Sequence, residues 1–223
     1  MNAGRLSGRD LAAALVVVLV WGVNFVAMKF ALRDFTPFQL GAARFLFAAL
    51  PLMLFIKPPQ VPWKWVVLYG LFQGVGQFGI LFIALKVGMT AALASVLLQT
   101  QVFFTALFGF FLLHERASRP LQLGMVLAAL GLSCFGYNYV SPGAASSSAT
   151  TVAGLVLTLC AAAMWALSNI VARQVQKVSV NYSPIAFVIW SGAVAIVPFI
   201  ALSWLFDAEA VRWQWLQARW SSW

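Results

Sequence analysis

The stretch Leu11 to Phe30, LAAALVVVLVWGVNFVAMKF, returns as Leu155 to Gln174, LVLTLCAAAMWALSNIVARQ, with Trp21 over Trp165, Leu15 over Leu159 and Lys29 over Arg173. A chain that restarts in this way points to duplication. The segment after each copy supports the match. Thr36-Pro37 opens the next helix of the first copy and Ser183-Pro184 that of the second. Proline is favoured at a helix start because the N–H it lacks would find no partner there. The first copy holds five membrane-length apolar segments, and an odd number makes the second copy enter the bilayer from the opposite side. The expected fold is all-α: a polytopic membrane protein of inverted five-helix repeats, residues 1–144 holding the first and 145–223 an incomplete second.

At 63% hydrophobic and 9% charged, with a mean hydropathy of +0.92, the chain is no ordinary soluble domain. A helix rising about 1.5 Å per residue needs roughly 20 apolar residues to cross about 30 Å of hydrocarbon. Seven segments meet that length, at 11–29, 36–56, 65–85, 89–113, 120–140, 152–172 and 184–206. A cleaved signal peptide is the rival reading of the first. No small-residue cleavage site follows it promptly, and its return at 155 argues that it stays.

A net charge of +9 and a pI of about 10.3 would suggest nucleic acid in a soluble protein. Here the basic residues fall between spans. With the N-terminus inside, the inner segments hold Arg5, Arg9, Lys57, Lys64, Arg116, Arg119, Arg173 and Lys177, and the outer loops before the last span hold Lys29, Arg33 and Lys86. This bias orients the chain N-in and argues against nucleic-acid binding. The partners it implies are a lipid bilayer and a small molecule.

Several residues invite chemistry and are read more plainly. Cys134 and Cys160 share no CxxC or metal spacing and read as small apolar packing residues. His114 lies at a span end with no second histidine or buried acid beside it. Gly74 to Gly79, GVGQFG, matches a dinucleotide fingerprint letter for letter, but it sits inside an uncharged span with no preceding strand. Gly70 and Gly74 are instead expected to let another helix approach closely. No cofactor or metal is implied, and no paired acids, buried histidine or Cys–His pair suggests an enzyme.

What remains is polar side chains in an apolar solvent. Gln73 and Gln77, four apart and so about 40° apart around an α-helix, are expected to form one stripe with Tyr69. Amides facing lipid would leave hydrogen-bonding groups unpaired, so the stripe faces protein or water. Gln99 and Gln101 lie about 200° apart, so at most one of them lines a cavity. Trp21 with Asn24, and Trp165 with Ser168 and Asn169, hold corresponding depths of the two repeat-initiating helices. Interhelical bonding and cavity lining are balanced for each residue alone, while the paired occurrence favours a cavity between repeats. Arg44 either carries its guanidinium toward the interface on a long stem or attracts an anionic or zwitterionic solute. The acids Asp10, Asp34, Glu115, Asp207 and Glu209 all lie at span ends or in loops, so no intramembrane carboxylate is at hand to carry protons.

The strings WGVNFVAMKF (21–30), GAARFLFAALP (41–51), AALASVLLQTQVFFTALFGFFLLHER (91–116) and LTLCAAAMWALSNIVAR (157–173) resemble the EamA branch of the drug/metabolite transporter superfamily. They are most similar to its O-acetylserine/cysteine exporter subgroup, over residues 9–206. The resemblance implies ten helices in two inverted repeats around a central cavity lined by helices 1, 3, 4, 6, 8 and 9. On matching helices stand Trp21, Asn24, Gln73, Gln77, Gln99, Gln101, Trp165, Ser168 and Asn169, the candidate substrate-binding residues. The second repeat departs from this pattern by stopping after two helices. Its tail, Ala210 to Trp223, resembles the interfacial approach VPWKW at 61–65, so the chain is expected to be a truncated or partial sequence. The function expected is export of small amino-acid-like metabolites across a bacterial inner membrane by alternating access. Drug or nucleotide-sugar export on the same fold is the alternative, and a seven-helix sensor is the more distant one.

Overall fold

In the computed structural model the described residues are 7–115, 118–140, 151–179 and 182–209, and seven helices carry them. These are α1 (Gly8–Ala31), α2 (Pro37–Met53), α3 (Trp63–Lys86), α4 (Ala91–Leu113), α5 (Arg119–Val140), α6 (Val152–Val178) and α7 (Pro184–Phe206). Hydroxyl side chains set most of the starts. Thr36 Oγ1 accepts from the Gln39 N–H at 3.1 Å and Pro37 follows it, while Ser183 Oγ accepts from Ala186 at 3.3 Å and Pro184 follows. Ser7, Thr90 and Thr151 cap α1, α4 and α6 in the same way, each pairing an N–H that the first turn leaves open. The interfacial reading of 210–223, the loop 141–150, and Arg5 and Arg116 lie outside the described residues.

Among the described residues five helices, α1, α3, α4, α6 and α7, are long and apolar enough to cross a membrane. This is a multi-pass membrane protein, and Leu15, Leu19, Phe47, Leu127, Val197 and Leu205 stand exposed on the outward faces of its helices. α2 is shorter than its sequence suggests, with 17 residues ending at Met53 where 36–56 was expected. Pro51 weakens its last turn, and Pro58-Pro59 prevent the helix from continuing. The two cysteines depart from expectation as well. Cys134 and Cys160 are exposed and do not pack into the core.

Hydrogen bonds sort the helix ends into two sets. At one end Lys29 donates to the carbonyls of Leu85 and Met89, Lys86 donates to Leu32 O at 2.7 Å, and Thr151 donates to Val87 O at 2.8 Å. There too Thr36 Oγ1 donates to Asp207 Oδ2 at 2.7 Å. At the other end Trp190 Nε1 donates to Ile56 O at 3.0 Å, and Arg173 and Lys177 donate to Glu115. α2 and α7 therefore run antiparallel, the start of each beside the end of its partner. Lys29 and Lys86, read as outer-loop charges, close the Leu85 and Leu32 carbonyls at helix C-termini, where the helix dipole also favours a cation.

The core lies where α3 and α6 cross under α4. Leu81, Phe82, Leu85, Leu98, Ala161 and Ala162 are almost wholly buried there with Met28 and Leu32 of α1. Along α3 the backbone widens into a π-helix over Gly70–Gly79, where an uninterrupted α-helix was expected. Its glycines make room for neighbours. A Cβ on Gly70 would overlap Ser191 O of α7, one on Gly74 would overlap the Ala195 side chain, and one on Gly76 would stand 2.9 Å from Met164 of α6. The fingerprint-like glycines are thus contact points for two helices.

Candidate functional site

One turn of α6 reaches three neighbouring helices. Trp165, Ser168 and Asn169 stand three and four residues apart, the spacing that brings side chains to one face of a helix. The Trp165 ring meets Trp21 of α1 at a centroid distance of 5.5 Å. Ser168 Oγ lies 2.6 Å from Gln73 Oε1 of α3. Asn169 Nδ2 donates to Gln101 Oε1 of α4 at 2.9 Å and to Thr105 Oγ1 at 3.3 Å. Eight of the nine sequence candidates lie on α1, α3, α4 and α6 within or beside this junction. Gln99 does not join it. It sits exposed in the tightened 3-10 turn Leu98–Thr100, on the other side of α4 from Gln101.

The polar set divides in two by burial. Gln73 donates to Gln77 at 3.2 Å and accepts from Ser168, whose Oγ also lies 2.7 Å from Trp165 O. Gln77 is 3% exposed and Ser168 fully buried, so these groups satisfy one another inside the bundle. Gln101 and Asn169 are half-buried and open onto space, although Thr105 beneath them is nearly covered. Tyr69 leaves the stripe expected of it and places its ring 5.0 Å from Phe187 of α7. It is the last residue before the π-helix, where i→i+5 bonding changes the angle between successive side chains.

The open set lines a cavity of about 270 Å³ between α4 and α6, with Leu121 of α5 at its edge. Gln101, Thr105 and Asn169 stand deep in it, and the Glu115–Arg173 pair stands at its outer end. His114 ends α4 in the left-handed region with φ 54°, and the Glu115 N–H bonds back to Gly109 O at 3.1 Å. That turn aims the Glu115 carboxylate across at α6, where Arg173 Nη1 lies at 2.8 Å and Lys177 Nζ at 3.0 Å. Sequence reasoning missed Thr105, Glu115 and Arg173 as site residues. Thr105 follows Gln101 by four residues and so shares its helix face, and Glu115 is the single acid between Asp34 and Asp207. A larger groove of about 870 Å³ between α4 and α5 is lined mainly by apolar side chains such as Phe103, Phe110 and Met125.

The hydrogen bond from Lys177 holds the Glu115 carboxyl below the usual carboxylate range, and the charges of Lys177 and Arg173 add to this. A depressed folded-state pKa means that the contribution is present above the unfolded value and is lost as pH falls through the folded one. We therefore expect the melting temperature of the detergent-solubilised protein to exceed that of Glu115→Gln at neutral pH, with the gap closing as pH drops below 4.5, the ordinary carboxyl value. A gap that is constant across that range would show that the ion pair does not clamp α4 to α6.

Arg44 does not carry its charge out along lipid. Its Nη1 donates to Asn24 Oδ1 of α1 at 2.9 Å, and its Cζ stands 4.3 Å from the Phe78 ring centroid of α3. Such a cation–π contact gains strength where water is excluded.

The model of the EamA-like transporter family matches residues 10–137 of the chain. A probable amino-acid metabolite efflux pump of Escherichia coli (strain K12) is 37% identical over 205 residues, covering 92% of this chain and 67% of that protein. One of Salmonella typhimurium (strain LT2) is 37% identical over 202 residues, 91% of this chain and 66% of that protein. An uncharacterized transporter of Bacillus subtilis (strain 168) is 27% identical over 215 residues. The chain spans about two thirds of the length of the two pumps. No solved structure matches it significantly.

Proposed function

The chain belongs to the EamA-like transporter family, and on that premise we propose that it exports small amino-acid-like metabolites across a bacterial inner membrane by alternating access. The observation that carries this is the 270 Å³ cavity in which amide and hydroxyl groups stand deep and a carboxylate and a guanidinium stand at the mouth. Pockets for drug-sized ligands run from about 300 to 1,000 Å³, so this one suits a smaller solute. Groups of both signs with neutral donors and acceptors between them suit a zwitterion. The pumps of Escherichia coli and Salmonella typhimurium, named for amino-acid metabolites, favour that class over drugs or nucleotide sugars. The test is release of radiolabelled L-cysteine from preloaded cells expressing the chain. Release no faster than from cells with empty vector would overturn the reading.

Inverted repeats are the second part of the proposal. Trp21 and Trp165, equivalent by the repeat, meet with their rings tilted by 39°, and α2 and α7, whose starts Thr36-Pro37 and Ser183-Pro184 correspond, pair antiparallel. Contact between equivalent positions is what a two-fold axis between repeats produces. Seven spans with the N-terminus inside follow from that arrangement and from the basic residues. We expect Arg33→Cys, in a background with Cys134 and Cys160 replaced, to react with an impermeant maleimide added to intact spheroplasts. Arg33 lies exposed in the turn after α1. Labelling only after the membrane is broken would reverse the orientation.

A further inference from the structure

Arg44 is a cation at membrane depth answered by neutral groups. It stands about 10 Å along α2 from Pro37, on a rise of 1.5 Å per residue. A charge at such depth is expensive and is ordinarily held against a counter-charge or a water-filled cavity. The Glu115 carboxylate stands at the far ends of α4 and α6, where Arg173 and Lys177 engage it. Arg44 has instead the amide oxygen of Asn24, at 2.9 Å, and the face of Phe78. A guanidinium carries five N–H donors in a fixed plane and has no acceptor. Asn24 takes one of them, and Phe78 fixes the plane. The rest of the fork suits a planar anion that can accept two parallel bonds, which is the geometry of a carboxylate. Asn24 lies one turn of α1 from Trp21, which meets Trp165 of α6.

We propose that Arg44, positioned by Asn24 and Phe78, is a carboxylate-binding subsite for the exported solute. This rests on the export reading above and adds to it the group by which the solute is held, its carboxylate. Anionic lipid phosphate is the other source of an anion at a membrane arginine, and the test separates the two.

The purified chain in phosphatidylcholine nanodiscs is titrated with L-cysteine, with L-cysteinamide, which lacks the carboxylate, and with 3-mercaptopropionate, which lacks the ammonium. The wild type is expected to bind both carboxylates at least tenfold more tightly than the amide. Arg44→Gln is expected to abolish that preference by weakening the carboxylates alone, and Arg44→Lys to keep part of it. Asn24→Asp retains Arg44 but sets an internal carboxylate against it, and it too is expected to lose the preference. No preference or no binding in the wild type, equal weakening of all three probes in Arg44→Gln, or variants that bind as the wild type does would each overturn the proposal. So would a preference that disappears when phosphatidylglycerol is added to the nanodisc, since lipid phosphate would then be the anion. If the preference depends on Arg44 yet expressing cells release no labelled cysteine, the export reading falls and the subsite stands. If export occurs and Arg44→Gln still prefers carboxylates, the subsite falls alone.

Discussion

Asn169→Leu is expected to lower cysteine export at least tenfold while leaving the protein folded in the membrane. The asparagine donates to Gln101 and Thr105 from the wall of a cavity that combines amides with charges. Its loss leaves those two groups bonded to each other, with Thr105 Oγ1 donating to Gln101 Oε1 at 3.2 Å. The fold therefore loses little, about 0.6 kcal/mol being typical of each of the two interhelical bonds removed. A solute that uses the amide loses more. A hydrogen bond to a charged group contributes about 1.5–3 kcal/mol, and each 1.4 kcal/mol is a factor of about ten in binding. Gln77→Leu should give the opposite pattern. Gln77 is buried and bonded to Gln73, so its removal lowers the melting temperature and affects export mainly through the amount of protein that survives. Unchanged export in Asn169→Leu beside a lowered melting temperature would reduce Asn169 to helix bonding and remove the cavity from the export reading.

The difference between those two residues shows what the sequence could carry. Among the described residues hydropathy located the seven helices, the end of α2 apart, because a span must satisfy its own backbone and its length is set by the bilayer. Hydroxyl–proline pairs marked the starts of α2 and α7 for equally local reasons. Gln73, Gln77, Ser168, Gln101 and Asn169 were legible as polar residues that must face protein or water. Which of them bond to one another and which line space depends on how α6 rotates against α3 and α4, and no periodicity encodes that. Tyr69 was misplaced because the stripe assumed α-helical angles through Gly70, where close packing against Ser191 and a π-helix replace them. Arg44 was left with two readings for a related reason. Whether a long side chain reaches outward or inward is decided by Asn24 and Phe78, two residues on other helices. Glu115 escaped notice because it was counted as a loop charge. The left-handed turn at His114 that returns it to Arg173 is not a turn that histidine announces.

Gly70→Val is expected to leave almost no folded protein, and Gly70→Ala to lower stability by about 3 kcal/mol, the upper part of the range for overpacking. The reason is the atom a Cβ would meet. It is the backbone carbonyl oxygen of Ser191, with Val194 Cβ at 3.0 Å and Cγ1 at 3.2 Å behind it. A side chain can turn aside, but a carbonyl within α7 moves only if the helix moves. α7 is in turn held to α3 at Gly74, and to α2 and α3 through Phe199, which lies against Gly41 and Gly79. Shifting one contact therefore strains the others. Total stabilities of about 5–15 kcal/mol leave little margin for several such shifts. Gly22 supplies the control, because a Cβ there meets nothing within 4 Å. Gly22→Ala should match the wild type or exceed it by up to about 1 kcal/mol through helix propensity alone. Thermal unfolding of both alanine variants in detergent decides the matter. Equal melting temperatures would mean that α7 does not press on Gly70, and the glycine seam that seats α7 against α3 would have to be abandoned.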